Sequence, residues 1–139
     1  MRVRTRAREL ALQFLFQVDF HDDWYQDELA PFLAEQLDGK PGADEAKAYC
    51  HKVVEGVLMN KRVIDELIRG AARNWDLERM AAVDRNALRI GIYELLFADD
   101  VPMKVAINEA IELGKRYSTE ASGAFVNGIL DRVRKDKGL

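Results

Sequence analysis

The chain predicts an all-α fold, a compact single-domain bundle of about six or seven helices, and three observations carry that reading. Only three prolines punctuate its 139 residues. No run of alternating apolar and polar residues lasts long enough for a convincing strand. Apolar residues instead recur at helical spacing through most of the chain, which places them on one side of each predicted helix.

Taken in order, the first helix is expected from about Val3 to Phe20, with Ala7, Leu10, Ala11, Phe14, Leu15 and Val18 as its apolar stripe. A second fits Trp24 to Leu37 and ends before Asp38-Gly39-Lys40-Pro41-Gly42, the clearest loop in the chain. A third fits Asp44 to about Leu58, and Asn60 to Arg73 either continues it or forms a helix of its own. Asn74-Trp75-Asp76 reads as a break, with Asp76 placed to cap the next segment. Val83 to Ala98 is apolar nearly all round, which marks it as the buried central helix. From Asp100 to Leu130 the pattern is a helical hairpin. Pro102 suits a first turn, where a missing N–H costs nothing, and Ala106, Ala110, Leu113 and Tyr117 share one face. Ser118 or Thr119 offers an N-cap oxygen to the last helix, whose stripe is Phe125, Ile129 and Val133. Asn108 and Asn127 are expected to cap or crosslink helices, and Glu112 with Arg116 to form an i,i+4 pair.

At this length one domain is the simplest organisation, with a core large enough to need no metal or disulfide. A single cysteine, Cys50, excludes an internal disulfide and a Cys-based zinc cage. The N-terminus is basic, but Gln13, Gln17 and Asp19 break the apolar run that a signal peptide needs. No apolar stretch approaches the roughly 20 residues that span a bilayer, so a cytoplasmic location is expected. His21, His51 and Cys50 are the residues suited to soft-metal or nucleophilic roles. Cys50 and His51 are neighbours on a predicted helix, so their side chains diverge by about 100° and make no catalytic pair. Gly56, Gly70, Gly91, Gly114, Gly123 and Gly128 stand singly in helical patterns, as close packing or a local kink requires, and build no phosphate loop. Catalysis, a metal and a cofactor are therefore not expected.

The net charge of −3 argues against a nucleic-acid binder, but the distribution argues the other way. Arg2, Arg4, Arg6 and Arg8 all precede the first acid, Glu9, and Arg132, Arg134, Lys135 and Lys137 make the C-terminus basic again. Asp19 to Glu45 is strongly acidic. Such segregation can create a local positive field, although solvated arginines at a helix terminus fit the same pattern. Phe16 adds a second signal, because it lies opposite the apolar stripe near the Glu9–Gln13–Gln17 strip. Either the helix is buried on two faces, or Phe16 is a base-stacking aromatic beside an arginine arm, as single-stranded RNA binders use.

Four segments carry a resemblance to a known family. They are Ala-Arg-Glu-x-Ala-Leu-Gln from Ala7, Val-Asp-Arg-x-x-Leu-Arg-Ile-x-x-Tyr-Glu-Leu from Val83, Asp-Val-Pro-x-Lys-Val-Ala-Ile-Asn-Glu-Ala-Ile-Glu-Leu from Asp100, and Phe-Val-Asn-Gly-Ile-Leu-Asp from Phe125. Together they resemble, in order, the NusB family of bacterial transcription antitermination factors. The resemblance implies an all-α protein that binds the single-stranded boxA element of nascent RNA, notably in ribosomal RNA operons. It implies as partner NusE, a ribosomal protein, within an RNA polymerase antitermination complex. Carried onto this chain, it places RNA contacts at Arg4, Arg6, Arg8, Phe16, Ser122 and Phe125, and the NusE surface at Glu78 and Asp84. Phe16 stands where the family often has Tyr, Ala124 where many relatives carry a basic residue, Thr5 interrupts the arginine cluster, and Gly114 replaces a common Ala. The family includes monomers and dimers, so a homodimer stays open. Two other readings also stand: a substrate-binding module of the type found in ribosomal-RNA cytosine methyltransferases, for which the chain ends at Leu139 without a methyltransferase domain, and a protein-only helical adaptor.

Overall fold

The computed structural model describes residues 2–20 and 28–139. Among these residues it has seven α-helices: α1 (Val3–Val18), α2 (Leu29–Leu37), α3 (Ala43–Met59), α4 (Lys61–Ala71), α5 (Ala82–Phe97), α6 (Met103–Tyr117) and α7 (Glu120–Asp136). A 3-10 turn, Leu77–Arg79, lies between α4 and α5. The molecule is all-α.

Helix α5 is central for the reason its composition suggests: every residue from Asn86 to Glu94 is buried, so it has no solvent face there. It packs against α1, α3, α4, α6 and α7. The α1 stripe is buried as its spacing predicts and meets α3 and α5. Side chains such as Leu10, Phe14, Ile64, Leu88, Ile92 and Leu130 are almost wholly removed from water, each contributing about 1.5–3 kcal/mol. Among the described residues no helix is long and apolar enough to cross a membrane.

Several boundaries differ from the sequence expectation. Helix α1 stops at Val18, and Asp19, its C-cap, turns its carboxylate to Arg85 and Arg89 of α5. Helix α2 is described from Leu29; the expected start at Trp24, with His21 and the acids Asp22, Asp23 and Asp27, lies outside the described residues. Helices α3 and α4 are separate, and Asn60 between them donates from Nδ2 to the Gly56 carbonyl at 2.8 Å. Asp76 occupies the N-cap position of the 3-10 turn without a side-chain cap bond. Pro102 is the N-cap of α6. Thr119 is the working cap of α7, accepting from the Ser122 N–H at 3.1 Å. Asn108 and Asn127 are exposed and link no helices, while Arg116 pairs with Glu9 at 2.8 Å rather than with Glu112.

Candidate nucleic-acid interface

The first turns of α1 hold the arginine arm, and the structure divides it. Arg4 is exposed, pairs with Asp100 at 2.8 Å and lies 4.3 Å over the Tyr49 ring. Arg6 is half-buried, 3.5 Å from Glu9. Arg8 does not join them. It is 3 % exposed, donates from Nε to both Glu94 oxygens at 2.9 and 2.8 Å, and reaches Glu109 through Nη1 at 2.9 Å. Tyr49 also donates to Glu94, and Thr5 donates to Glu109 at 2.6 Å. Arg8 is thus a structural cation that ties α1 to α3, α5 and α6, which corrects its expected place on the RNA face. Burial pushes the Glu94 carboxyl up, and Arg8 only partly offsets this.

Phe16 is on the surface, 37 % exposed, and meets Phe20 edge-on at 5.2 Å. It lines a cleft of about 320 Å³ with Leu12, Gln13, Gln17, Val83 and Tyr117. Tyr117 also borders a second cleft, of about 340 Å³, that includes Arg6, Glu9 and Arg116. One aromatic residue therefore joins a stacking surface to a cationic one. Sequence reasoning assigned Tyr117 to the core face and Arg116 to a local pair. The signal was available in their position at the end of α6, where a side chain on the apolar stripe reaches the rim.

Ser122 and Phe125 do not extend that cleft. Ser122 is buried and donates from Oγ to Ser118 Oγ at 2.9 Å, so its hydroxyl belongs to the α6–α7 corner and not to a ligand. Gly114 lets this corner close: an added Cβ would lie 3.3 Å from Val126 and 3.4 Å from the Ser122 carbonyl. Phe125 is half-buried against Trp75, edge-on at 5.8 Å.

Glu78 lines a charged cavity of about 310 Å³ together with Asp19, Lys61, Asp65, Arg69, Leu77, Arg85 and Arg89, and Asp84 precedes Arg85 of that lining. Its framework is rigid. Arg89 grips Asp65 through Nε and Nη2 at 2.8 and 3.1 Å and reaches Asp19 at 3.0 Å. Arg85 donates to the Leu77 and Met80 carbonyls at 3.0 and 2.9 Å, fixing the 3-10 turn to α5. Glu78 is exposed, and its hydrogen bond from Arg69 at 2.8 Å holds its carboxyl below the usual range. Asp84 is half-buried, and its Oδ1 is buried without a hydrogen-bond partner.

Comparison with known proteins then decides the kinship. A model of the NusB family matches residues 5–135. The chain belongs to the NusB family. It is 52 % identical over 130 residues to the transcription antitermination protein NusB of Anaeromyxobacter sp. (strain Fw109-5), covering 94 % of this chain and 88 % of the relative. The corresponding protein of Geobacter sulfurreducens is 46 % identical over 142 residues, covering 99 % and 100 %. Among solved structures, T. maritima NusB superimposes with a TM-score of 0.82 at 43 % identity, covering 96 % of this chain and 91 % of that one. A structure of antitermination factors NusB and NusE in complex with dsRNA gives 0.84 at 28 % identity, covering 98 % of each chain. The residues matched by the family model include Arg6 and Arg8 of the arm and the whole lining of the charged cavity.

Proposed function

We propose that this protein is a non-catalytic transcription antitermination factor that binds single-stranded boxA-type RNA together with NusE and promotes processive transcription of ribosomal RNA operons. One observation carries the RNA half of the reading: Phe16 stands exposed beside Tyr117, with Arg6 and Arg116 in the adjoining cleft. A ring open to solvent can accept an unstacked base, worth about 1–3 kcal/mol, while neighbouring cations neutralise phosphates. In this reading the RNA contacts are Arg4, Arg6, Phe16 and Phe125, and Tyr117 and Arg116, which line the same clefts as Phe16 and Arg6, join them. NusE meets Glu78 and Asp84, where acids steer a basic partner. The chain acts as one cytoplasmic domain, without a cofactor, inside the antitermination complex.

The test is the anisotropy of a labelled boxA-type RNA titrated with the protein, with and without NusE, at low and moderate salt. A scrambled RNA and a double-stranded RNA serve as competitors. Sequence-preferring binding that tightens with NusE is expected. Equal affinity for scrambled RNA even with NusE present would turn the reading toward a protein-only adaptor. Stronger binding of the duplex would remove the stacking mechanism, which needs an unpaired base.

A further inference from the structure

An exposed cation attracts a phosphate, but one that already holds a carboxylate must release it first. Arg4 is in that position, and the carboxylate it holds is shared with a second cation, Lys52 of α3. Arg4 donates from Nη2 to Asp100 Oδ2 at 2.8 Å, and Lys52 from Nζ to Oδ1 at 3.4 Å. We propose that Arg4 and Lys52 form a backbone-phosphate site for the bound RNA, and that Asp100 occupies it in the free protein as an internal stand-in which the phosphate displaces.

Three observations point there. The Asp100 carboxylate does nothing else for the fold: α6 starts after Pro102 without a side-chain cap bond, and among the described residues the hydrogen-bond donors to Asp100 are these two cations. The place is open, since the side chains of Arg4 and Asp100 are 43 % exposed and that of Lys52 is 51 % exposed. An exposed pair contributes little to stability, so exchanging the carboxylate for a phosphate costs little. Arg4 is also held in place independently of Asp100. Its guanidinium lies 4.3 Å from the centre of the Tyr49 ring, whose hydroxyl is tied to Glu94, and it keeps that support when the carboxylate leaves.

The bound carboxylate shows that the site takes an anion, and continuity selects an RNA phosphate as that anion. Tyr117 borders both the Phe16 cleft and the cleft of Arg6 and Arg116. Arg116 joins the latter to a cleft that includes Arg2, and Arg2 joins that one to a last cleft lined by Arg4, Val101 and Pro102. A strand with a base on Phe16 therefore has a path to Arg4, over about 18 Å of α1. The acids along the path are already engaged: Glu9 by Arg6 and Arg116, Glu109 by Arg8 and Thr5, and Glu112 by Lys115. The linings of the last three clefts hold Arg2, Arg4, Arg6, Arg8 and Arg116 against those three acids, an excess of cation that suits a polyanion. Lys52 with Asp100 leaves that excess unchanged.

The inference rests on the RNA half of the proposed function, and the experiment separates the two. Anisotropy of labelled boxA-type and scrambled RNA is titrated through a salt series, with NusE present, for the wild-type chain, Asp100→Asn, Lys52→Gln and Asp99→Asn. Thermal unfolding is the control for folding. Asp99, adjacent and exposed, controls for the loss of one negative charge. Asp100→Asn is expected to tighten both RNAs by about twofold to fivefold at low salt, the range an exposed ion pair spans, because a phosphate contact carries no sequence. Its salt slope should steepen by up to about one. Lys52→Gln should weaken both RNAs by a similar factor and lower the slope by about one. A gain in Asp100→Asn no greater than in Asp99→Asn overturns the stand-in. Tightening confined to the boxA-type RNA means a base contact and overturns it too. Unchanged affinity in Lys52→Gln overturns the paired site while the RNA reading stands. If the wild-type chain binds neither RNA, that reading falls and the phosphate site with it.

Discussion

Arg4 and Arg8 lie one helical turn apart on α1, yet burial separates their roles. Arg8 faces α5 and α6 and meets Glu94 and Glu109, so its removal leaves buried carboxylates without a cation. Arg8→Ala is therefore expected to cost about 3–5 kcal/mol in urea unfolding. Arg4 pairs in solvent with Asp100, and an exposed pair is worth about 0–1 kcal/mol. Arg4→Ala should leave the unfolding midpoint nearly unchanged while weakening RNA binding and lowering its salt slope by about one. A large stability loss in Arg4→Ala would show that the division is wrong. Cys50 follows the same logic of burial: it is fully enclosed and its thiol is pushed up to about 12. In the native protein it should resist a thiol reagent at neutral pH and react only on unfolding.

At the scale of elements, close packing decides where small residues are required. Helices α3 and α5 approach so closely at Gly56 that an added Cβ would lie 2.0 Å from the Tyr93 ring. Gly56→Ala should destabilise by about 1–3 kcal/mol despite the higher helix propensity of Ala, measured by thermal or urea unfolding. Stabilisation would mean that the two helices can part without loss. The α6–α7 corner depends on its cap as well as on Gly114. Thr119 satisfies an N–H at the start of α7, and Thr119→Ala should cost about 1 kcal/mol. The helical hairpin was legible from spacing and cap chemistry, because both are local. The choice between Ser118 and Thr119 was not, since either hydroxyl can cap in isolation and only the chain path into α7 selects one.

For the whole molecule, the ion network joining α1, α4 and α5 sets the response to acid. Burial pushes the Asp19 carboxyl up, but Arg89 and Arg85 outweigh it and hold the folded-state value below the usual range. Folding therefore gains stability from this group above the unfolded value of about 3.9, and that gain is lost as pH falls toward the folded value. Wild-type stability should drop between about pH 4 and the acid limit more steeply than that of Asp19→Asn, which lacks the titrating group. Parallel pH profiles would show that Asp19 does not carry the linkage.

The sequence by itself determined the helical class, the central place of α5 and the position of Phe16 opposite the α1 stripe, because periodicity and caps act between residues a few positions apart. It also supplied the long segments that mark the NusB family. Tertiary structure alone decided that Phe16 stays open to solvent, that Arg8 and Ser122 turn inward, that Arg116 crosses to Glu9, and that Trp75 rests on Phe125. Each of these outcomes depends on which distant helix lies opposite. A charged side chain at a given helical angle is solvated or paired according to the neighbour it meets, and that neighbour is chosen by packing of the whole chain.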